Sequence, residues 1–448
     1  MTPLLMLIVI LILLVLGVPI AFTLGLTAVM FIVLQSDFSL TFMTQQLYLG
    51  ANSFPLLAIP LFILAGSIMN YSGISKRLIN LALLIVGIFK GGLAYVNVVA
   101  SVFFGAITGT AVGASAAVGQ IVIPAMVDKG YRRGFSAATT SAGSSLGILL
   151  PPSVPMILYA SVSGISVSAL FMTGIPIGLT IAAGFMVVAY FLSAKQKGEI
   201  IEKSVKVENV GIELLKNIPA LLVPVIILGS ILTGVATPTE SAAIAVFVGI
   251  VAALIYREMS MKDFFVAIED SVRTTAFVMF IVACAGLLGF AFAGLGVGHQ
   301  MMEPLLQFAN DPIAVMLITS LILFLGGLVF DGTVMVLVIV PLFLPLADAV
   351  SVDPLQFAMV VLIVWSIGQQ TPPVASGLYI TTALAKATMW ETSKYNVWYI
   401  LVLLIVLFFM IYFPDLCSIF RIYSLINVLM GLRQVGTHIL FYLKETIE

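Results

Sequence analysis

Residues 143–152 read GSSLGILLPP and residues 364–373 read VWSIGQQTPP. Their shared spelling, Ser145-x-Gly147-x-x-x-Pro151-Pro152 and Ser366-x-Gly368-x-x-x-Pro372-Pro373, recurs at an offset of 221 residues (366 minus 145). The register holds upstream without a gap, because Phe103 and Gly105 fall on Phe324 and Gly326, and Pro124 falls on Pro345. A Pro-Pro pair, a third proline and two glycines at one offset mark an internal duplication. In membrane proteins, interrupted segments at matching places in two halves point to a transport site.

Composition puts the chain in the membrane. Of its 448 residues 61% are hydrophobic and only 9% charged, with a mean hydropathy of +1.22, far outside soluble globular usage. A net charge of −1 says nothing about nucleic acid; the apolar composition makes the lipid bilayer the surroundings, and no nucleic-acid partner is expected. Cys284 and Cys417, both in apolar stretches, form neither a disulfide framework nor a metal cluster. The first apolar run, Pro3 to Leu16, has no basic leader before it and reads as a retained span.

Candidate spans lie near 3–18, 20–35, 55–71, 168–193, 218–235, 238–256, 271–293 and 396–413, each near the length that crosses a bilayer. Residues 77–89 and 260–270 read as interfacial arms. The chain then divides into N-terminal scaffold spans and an arm (1–92), unit one (93–165), further scaffold spans with a polar linker at 194–217 (166–311), unit two (312–386), a last span (387–415) and a tail (416–448). Lysine and arginine cluster at Lys76-Arg77-Lys90, Lys129-Arg132-Arg133, Lys195 to Lys216, Arg257-Lys262-Arg273 and Lys386-Lys394, which marks those loops as cytoplasmic. Five crossings separate the units, so unit one opens from the cytoplasm and unit two from outside. The expected fold is an all-α polytopic membrane protein, an inverted repeat with two re-entrant hairpins and two broken helices.

The prolines carry the chemistry. Lacking N–H groups, they orphan the carbonyls four residues earlier, those of Gly147 and Ile148 in unit one and of Gly368 and Gln369 in unit two. Backbone broken at membrane depth persists only where protein, water or an ion satisfies it, and carbonyl and hydroxyl oxygens suit a hard cation such as Na⁺. Leu150 and Thr371 precede prolines and should be extended. Each helix should restart near Ser153 or Val374 to Ser376, turning free N–H groups and a positive dipole end toward an anion. Small or polar tips precede each break, residues 108–115 in unit one and Asp331-Gly332-Thr333 in unit two. Asp331, an acid inside an apolar run, is either a functional group or a plain loop acid between two complete spans.

Other spellings have plain readings. Gly143 to Gly147 satisfies the G-x-S-x-G pattern, yet only His299 and His438 could act as a base, and neither lies near it in sequence. Thr237-Pro238-Thr239-Glu240 reads as a helix start. Arg132-Arg133 read as anchors rather than substrate clamps, and Gly294-x-Gly296-x-Gly298 as a loop.

Taken together, GTAVGASAA (109–117), GSSLGILLPPSVPMILY (143–159), ATPTESAA (236–243), FDGTVMVLVIVPLFLP (330–345) and IGQQTPPVASGLYI (367–380) resemble the large membrane subunit of tripartite ATP-independent periplasmic (TRAP) transporters, over roughly residues 1–415. The resemblance implies an elevator-type, Na⁺-coupled importer of a small organic acid anion in the cytoplasmic membrane of a bacterium or archaeon, and no enzyme. It implies two partners, a periplasmic substrate-binding protein and a small four-span membrane subunit on a separate chain. It also implies two Na⁺ sites, each between a hairpin tip and a broken helix, with substrate between them. Carried onto this sequence, site one takes Thr110, Gly113, Ser115, Ser145, Gly147 and Ile148. Site two takes Asp331, Gly332, Thr333, Ser366, Gly368, Gln369 and Thr371, and Ser144, Ser153, Gln370 and Ser376 are substrate candidates. Gln369-Gln370 and the tail beyond Asp415 depart from the family pattern. A binding-protein-independent Na⁺/dicarboxylate or citrate carrier is the alternative of the same class, and a channel or membrane enzyme the alternative of another.

The charge distribution makes a direct prediction. Single cysteines replacing Asp37, Asp311 or Asp353 should react with an impermeant thiol reagent from outside intact cells, whereas cysteines replacing Lys129 or Lys203 should not. The reverse pattern would overturn the orientation.

Overall fold

The computed structural model describes residues 2–35, 40–87, 91–194, 210–297, 300 and 311–414, and among them every regular element is a helix. Among the described residues, eight helices are long and apolar enough to cross a membrane. His299, His438, Cys417, Asp37, the linker to residue 209 and the tail from 415 lie outside the described residues.

Both breaks form where the duplicated prolines place them. Broken helix one runs Arg133–Leu149, stops, and restarts as Val154–Ser163; broken helix two runs Pro354–Gly368 and restarts as Ser376–Ala385. Leu150 is extended (φ −100°, ψ 131°), as a residue before proline should be. Both Pro-Pro bonds, Pro151-Pro152 and Pro372-Pro373, are cis. A hairpin precedes each break. Hairpin one pairs Gly92–Thr108 with Ala111–Asp128, and hairpin two pairs Pro312–Gly327 with Gly332–Ala349.

The first halves of the broken helices are the most enclosed elements. Across 133–163, 89% of the best apolar window is buried, against 33% for the last span, Met389–Tyr412. Arg133–Leu149 is rich in Gly, Ala, Ser and Thr, which allow close backbone approach inside a membrane bundle. Most of its hydroxyls are satisfied locally: Thr139 donates to the Phe135 carbonyl at 2.9 Å, Thr140 to the Ser136 carbonyl at 2.8 Å and Ser144 to the Thr140 carbonyl at 2.7 Å, while the Ser141 hydroxyl is buried without a partner. The last span braces both breaks. Tyr399 shares a 2.8 Å hydrogen bond with Thr139, and Asn396 donates to the Gln370 carbonyl at 2.8 Å.

Three elements depart from the sequence reading. A helix at Leu40–Ala51, not expected, crosses Met261–Gly294 so closely that a Cβ on Gly286 would lie 2.7 Å from the Gly50 Cα. The expected second arm and the span after it form that one continuous helix, Met261–Gly294, started by a capping box between Ser260 and Asp263. The span expected at 218–235 begins earlier, as Val210–Leu232.

The first arm, Ile74–Val86, is fastened to the scaffold by Arg77. Its guanidinium donates to Glu258 at 2.7 Å and stacks 3.6 Å over the Tyr256 ring. That hydrogen bond holds the Glu258 carboxyl below the ordinary carboxylate range. Thr237 and Glu240 form a complete capping box. Arg132 and Arg133 donate outward, to the Tyr395 hydroxyl and the Lys386 carbonyl.

Glycine contacts seat each hairpin against its broken helix. A Cβ on Gly147 would stand 3.1 Å from the Thr110 carbonyl and 3.3 Å from the Gly105 Cα, all backbone. In unit two the matching contact uses Gly327, one residue past the repeat partner of Gly105, and a Cβ on Gly368 would find ordinary contacts of 3.4 Å and beyond. Gly147→Ala should therefore lower the thermal stability of the purified protein by about 1 to 3 kcal/mol through overpacking, whereas Gly368→Ala should leave it unchanged or raise it slightly, since Ala favours helix over Gly. Thermal unfolding of the two variants in detergent checks the contrast.

Candidate functional site

In unit one the hairpin tip plugs the break. The turn is made by Gly109 (φ 63°), and Thr110 caps the second arm, its Oγ1 accepting from the Gly113 N–H at 3.2 Å. The Gly109 carbonyl accepts from the Val154 N–H at 2.9 Å, and a Cβ at Gly109 would lie 2.8 Å from the Pro152 carbonyl oxygen. Ser153 serves both ends of the break. Its Oγ donates to the Ile148 carbonyl at 2.7 Å and accepts from the Met156 N–H at 3.4 Å.

This arrangement corrects two expectations. The Ile148 carbonyl is not orphaned, because the Ser153 hydroxyl reaches it. The restarting helix does not offer free N–H groups, because Val154 and Met156 are already paired and Pro155 has none. Thr110, Gly113, Gly147 and Ile148 meet at the tip–break junction. Ser115 and Ser145 turn toward unit two: the Ser115 hydroxyl lies 3.4 Å from where a Gly377 Cβ would stand, and Ser145 meets Ser366 and Gln370.

Unit two has the same plan with different occupants. Asp331 stands at the repeat position of Thr110 and likewise caps the second arm, its Oδ1 accepting from the Thr333 N–H at 2.9 Å. The Gly368 carbonyl, expected to be orphaned, accepts from the Thr371 N–H at 3.1 Å because the chain tightens into a turn. The Thr371 hydroxyl returns to the Ile367 carbonyl at 2.8 Å, and the Ser366 hydroxyl donates to the Ser145 carbonyl at 3.1 Å. The restart has no side-chain cap, since Val374 occupies the place of Ser153 and Ala375 (φ 27°) precedes the helix.

Between this tip and this break is a void of about 10 Å³, bordered by Asp331, Gly332, Gly368, Gln369 and Ser376 among others. That is roughly the space of one water or one small ion. The Gln369 Oε1 and Ser376 Oγ are buried there without partners. Thr333 does not border this void.

A larger cavity, about 360 Å³, borders both hairpin tips. Thr108, Thr110 and Gly113 line it from unit one and Asp331 and Thr333 from unit two, while Asn70 and Thr274 close it from scaffold helices. No lysine or arginine lines it, and Asp331 is its one acid. None of the four substrate candidates borders it. The Ser144 hydroxyl is spent on Thr140, Ser153 spans the break, Gln370 donates to the Ser145 hydroxyl at 3.0 Å, and Ser376 borders the smaller void. The sequence reading singled out neither Asn70 nor Thr274, which stand at the ends of apolar runs. Trp365, which borders both spaces, offered no signal either.

Comparison with known proteins identifies the family and supports the fold. The family model of the tripartite ATP-independent periplasmic transporter, DctM component, matches residues 7–416. The isethionate TRAP transporter permease protein DctMQ of Oleidesulfovibrio alaskensis is 35% identical over 410 residues, covering 91% of this chain, which spans only 64% of that relative's length. The sialic acid TRAP transporter large permease protein SiaM of Vibrio cholerae is 33% identical, covering 82% of this chain and 86% of SiaM. In fold, the crystal structure of the Alcanivorax borkumensis YdaH transporter superposes with a TM-score of 0.64 at 14% identity, over 84% of this chain and 89% of that one. With the duplicated breaks, the seated hairpins and a family match across nearly its whole length, the chain belongs to the DctM family of TRAP transporter large permeases, multi-pass membrane proteins that transport and are not enzymes.

Proposed function

We propose that this protein is the Na⁺-coupled permease of a TRAP system in the cytoplasmic membrane, importing a small organic acid anion. A periplasmic binding protein delivers the acid, and a small four-span subunit braces the scaffold. The observation that carries this reading is the ion-sized void at the second break, walled by an acid and by an unpartnered amide oxygen and opening beside a cavity large enough for a small acid. A carboxylate at membrane depth is penalised unless paired, and no lysine or arginine borders either space. A bound cation supplies the missing charge and an electrostatic partner for the acid. The relatives carry isethionate and sialic acid in their names, a sulfonate and a carboxylate, which supports the class without choosing the substrate. The hairpins and broken helices, packed as one body against the scaffold, favour an elevator movement of the two units.

Asp331→Asn keeps the helix cap, because asparagine caps as well as aspartate, and removes the charge. In reconstituted vesicles it should raise the Na⁺ concentration for half-maximal uptake by about tenfold, the loss of one charge-assisted interaction. Wild-type Na⁺ dependence in this variant would make Asp331 a cap only.

Uptake into vesicles holding this chain and the small subunit should require external Na⁺ and the loaded binding protein, with Na⁺ entering alongside the acid. Uptake at full rate from free acid, with no binding protein, would instead identify an autonomous carrier.

A further inference from the structure

Trp365 occupies the position that the repeat equates with Ser144. Ser144 closes its hydroxyl back onto the helix, but the Trp365 indole N–H is buried and has no acceptor. The residue is 3% exposed, and its nitrogen rests against Gly332 so closely that a Cβ there would overlap the ring. Retained unpaired donors in a packed interior call for an explanation. Trp365 is also one of three residues, with Asp331 and Gln369, that border both the ion-sized void and the 360 Å³ cavity.

The chemistry of the wall is divided. An indole N–H donates only, so it cannot serve a cation and is satisfied only by an acceptor. The unpartnered Gln369 Oε1 beside it has the opposite character and suits a cation. Two hydroxyl donors around the cavity are spent on their own helices: Thr108 donates to the Phe104 carbonyl at 3.0 Å and Thr274 to the Asp270 carbonyl at 2.8 Å. With no lysine or arginine lining the cavity, an acid there must be read by neutral donors.

We propose that the Trp365 indole N–H is the donor that receives an oxyanion oxygen of the transported acid, a carboxylate or sulfonate, at the wall shared with the cation void. This rests on the functional reading above. Gly332 is part of the device, since any side chain there would displace the indole.

The test uses the full chain with its small subunit in detergent or nanodiscs, in the presence of Na⁺, with isethionate, succinate and sialic acid each titrated as probes. An acid that binds the folded state raises the melting temperature. Trp365→Phe keeps the ring and removes the N–H, so it should raise the half-maximal concentration of the stabilising acid about tenfold, the loss of one hydrogen bond to a charged group. A second measurement keeps Trp365 itself. In the Trp390→Phe/Trp398→Phe protein, which removes the two exposed tryptophans, the same acid should shift the indole emission. A half-maximal concentration within twofold of wild type, or an unmoved emission, overturns the role of Trp365 while leaving the transport reading intact. If none of the three acids stabilises the wild type or moves its emission, the organic-acid reading fails and this assignment falls with it.

Discussion

Everything in this fold depends on how a helix interrupted inside an apolar bundle satisfies its own backbone. Lipid offers no hydrogen bonds, so every N–H and carbonyl freed at Pro151-Pro152 needs a partner from within the protein. The hairpin supplies one. Gly109 brings its carbonyl to the Val154 N–H, and only a residue without a side chain fits that close to the Pro152 carbonyl. Ser153 supplies two more contacts from one hydroxyl. A hairpin and a broken helix are therefore one structural unit, and neither is satisfied alone.

The two units are in turn joined at their symmetry-related serines. Ser366 donates to the Ser145 carbonyl, a bond between residues that the repeat equates, which places an approximate two-fold axis between them. A perfect two-fold would return the bond from Ser145 to Ser366. Instead Gln370 intervenes, donating to both the Ser145 hydroxyl at 3.0 Å and the Ser366 carbonyl at 3.3 Å, while Asn396 of the last span holds the Gln370 backbone. The repeat partner of Gln370 is Leu149, which has no such capacity. Buried side-chain bonds of this kind fix one arrangement of two elements, so the halves are bound to one another and to the last span as a single core.

Much of this was legible in the residues. The offset located both breaks, both tips and both restarts, because proline and glycine act through local backbone geometry that sequence states directly. The same offset equates Asp331 with Thr110, which makes the acid a helix cap as well as a charge. The fate of each carbonyl was not legible: whether Ile148 stays orphaned depends on where the Ser153 hydroxyl points, and whether Val154 stays free depends on a hairpin tip more than forty residues away. The helix at Leu40–Ala51 was missed because it falls short of a span and carries two glutamines. The charges at 262–270 read as an arm, although a capped helix continues through them into apolar sequence without a break. Trp365 was hidden because an aromatic in an apolar run is ordinarily core, and its unpaired nitrogen is visible only once its neighbours are in place.

Duplication predicts two equivalent sites, but the equivalent positions have diverged in one direction. Val374 stands where Ser153 does, so the second restart lacks a hydroxyl cap; Gln369 stands opposite Ile148, Trp365 opposite Ser144 and Asp331 opposite Thr110. Each of the last three changes places an unpaired donor, an unpaired acceptor or a charge at the second break, where the first break has apolar or self-satisfied groups. Unpaired groups are costly in a packed interior, and here they gather around a void with room for one small ion beside the larger cavity. The first break is closed by its own chain, through the Gly109 carbonyl and the Ser153 hydroxyl. The second is left incomplete, with the unpartnered Trp365 N–H, Gln369 Oε1 and Ser376 Oγ gathered beside Asp331, so its donors and acceptors wait on groups that the chain itself does not supply.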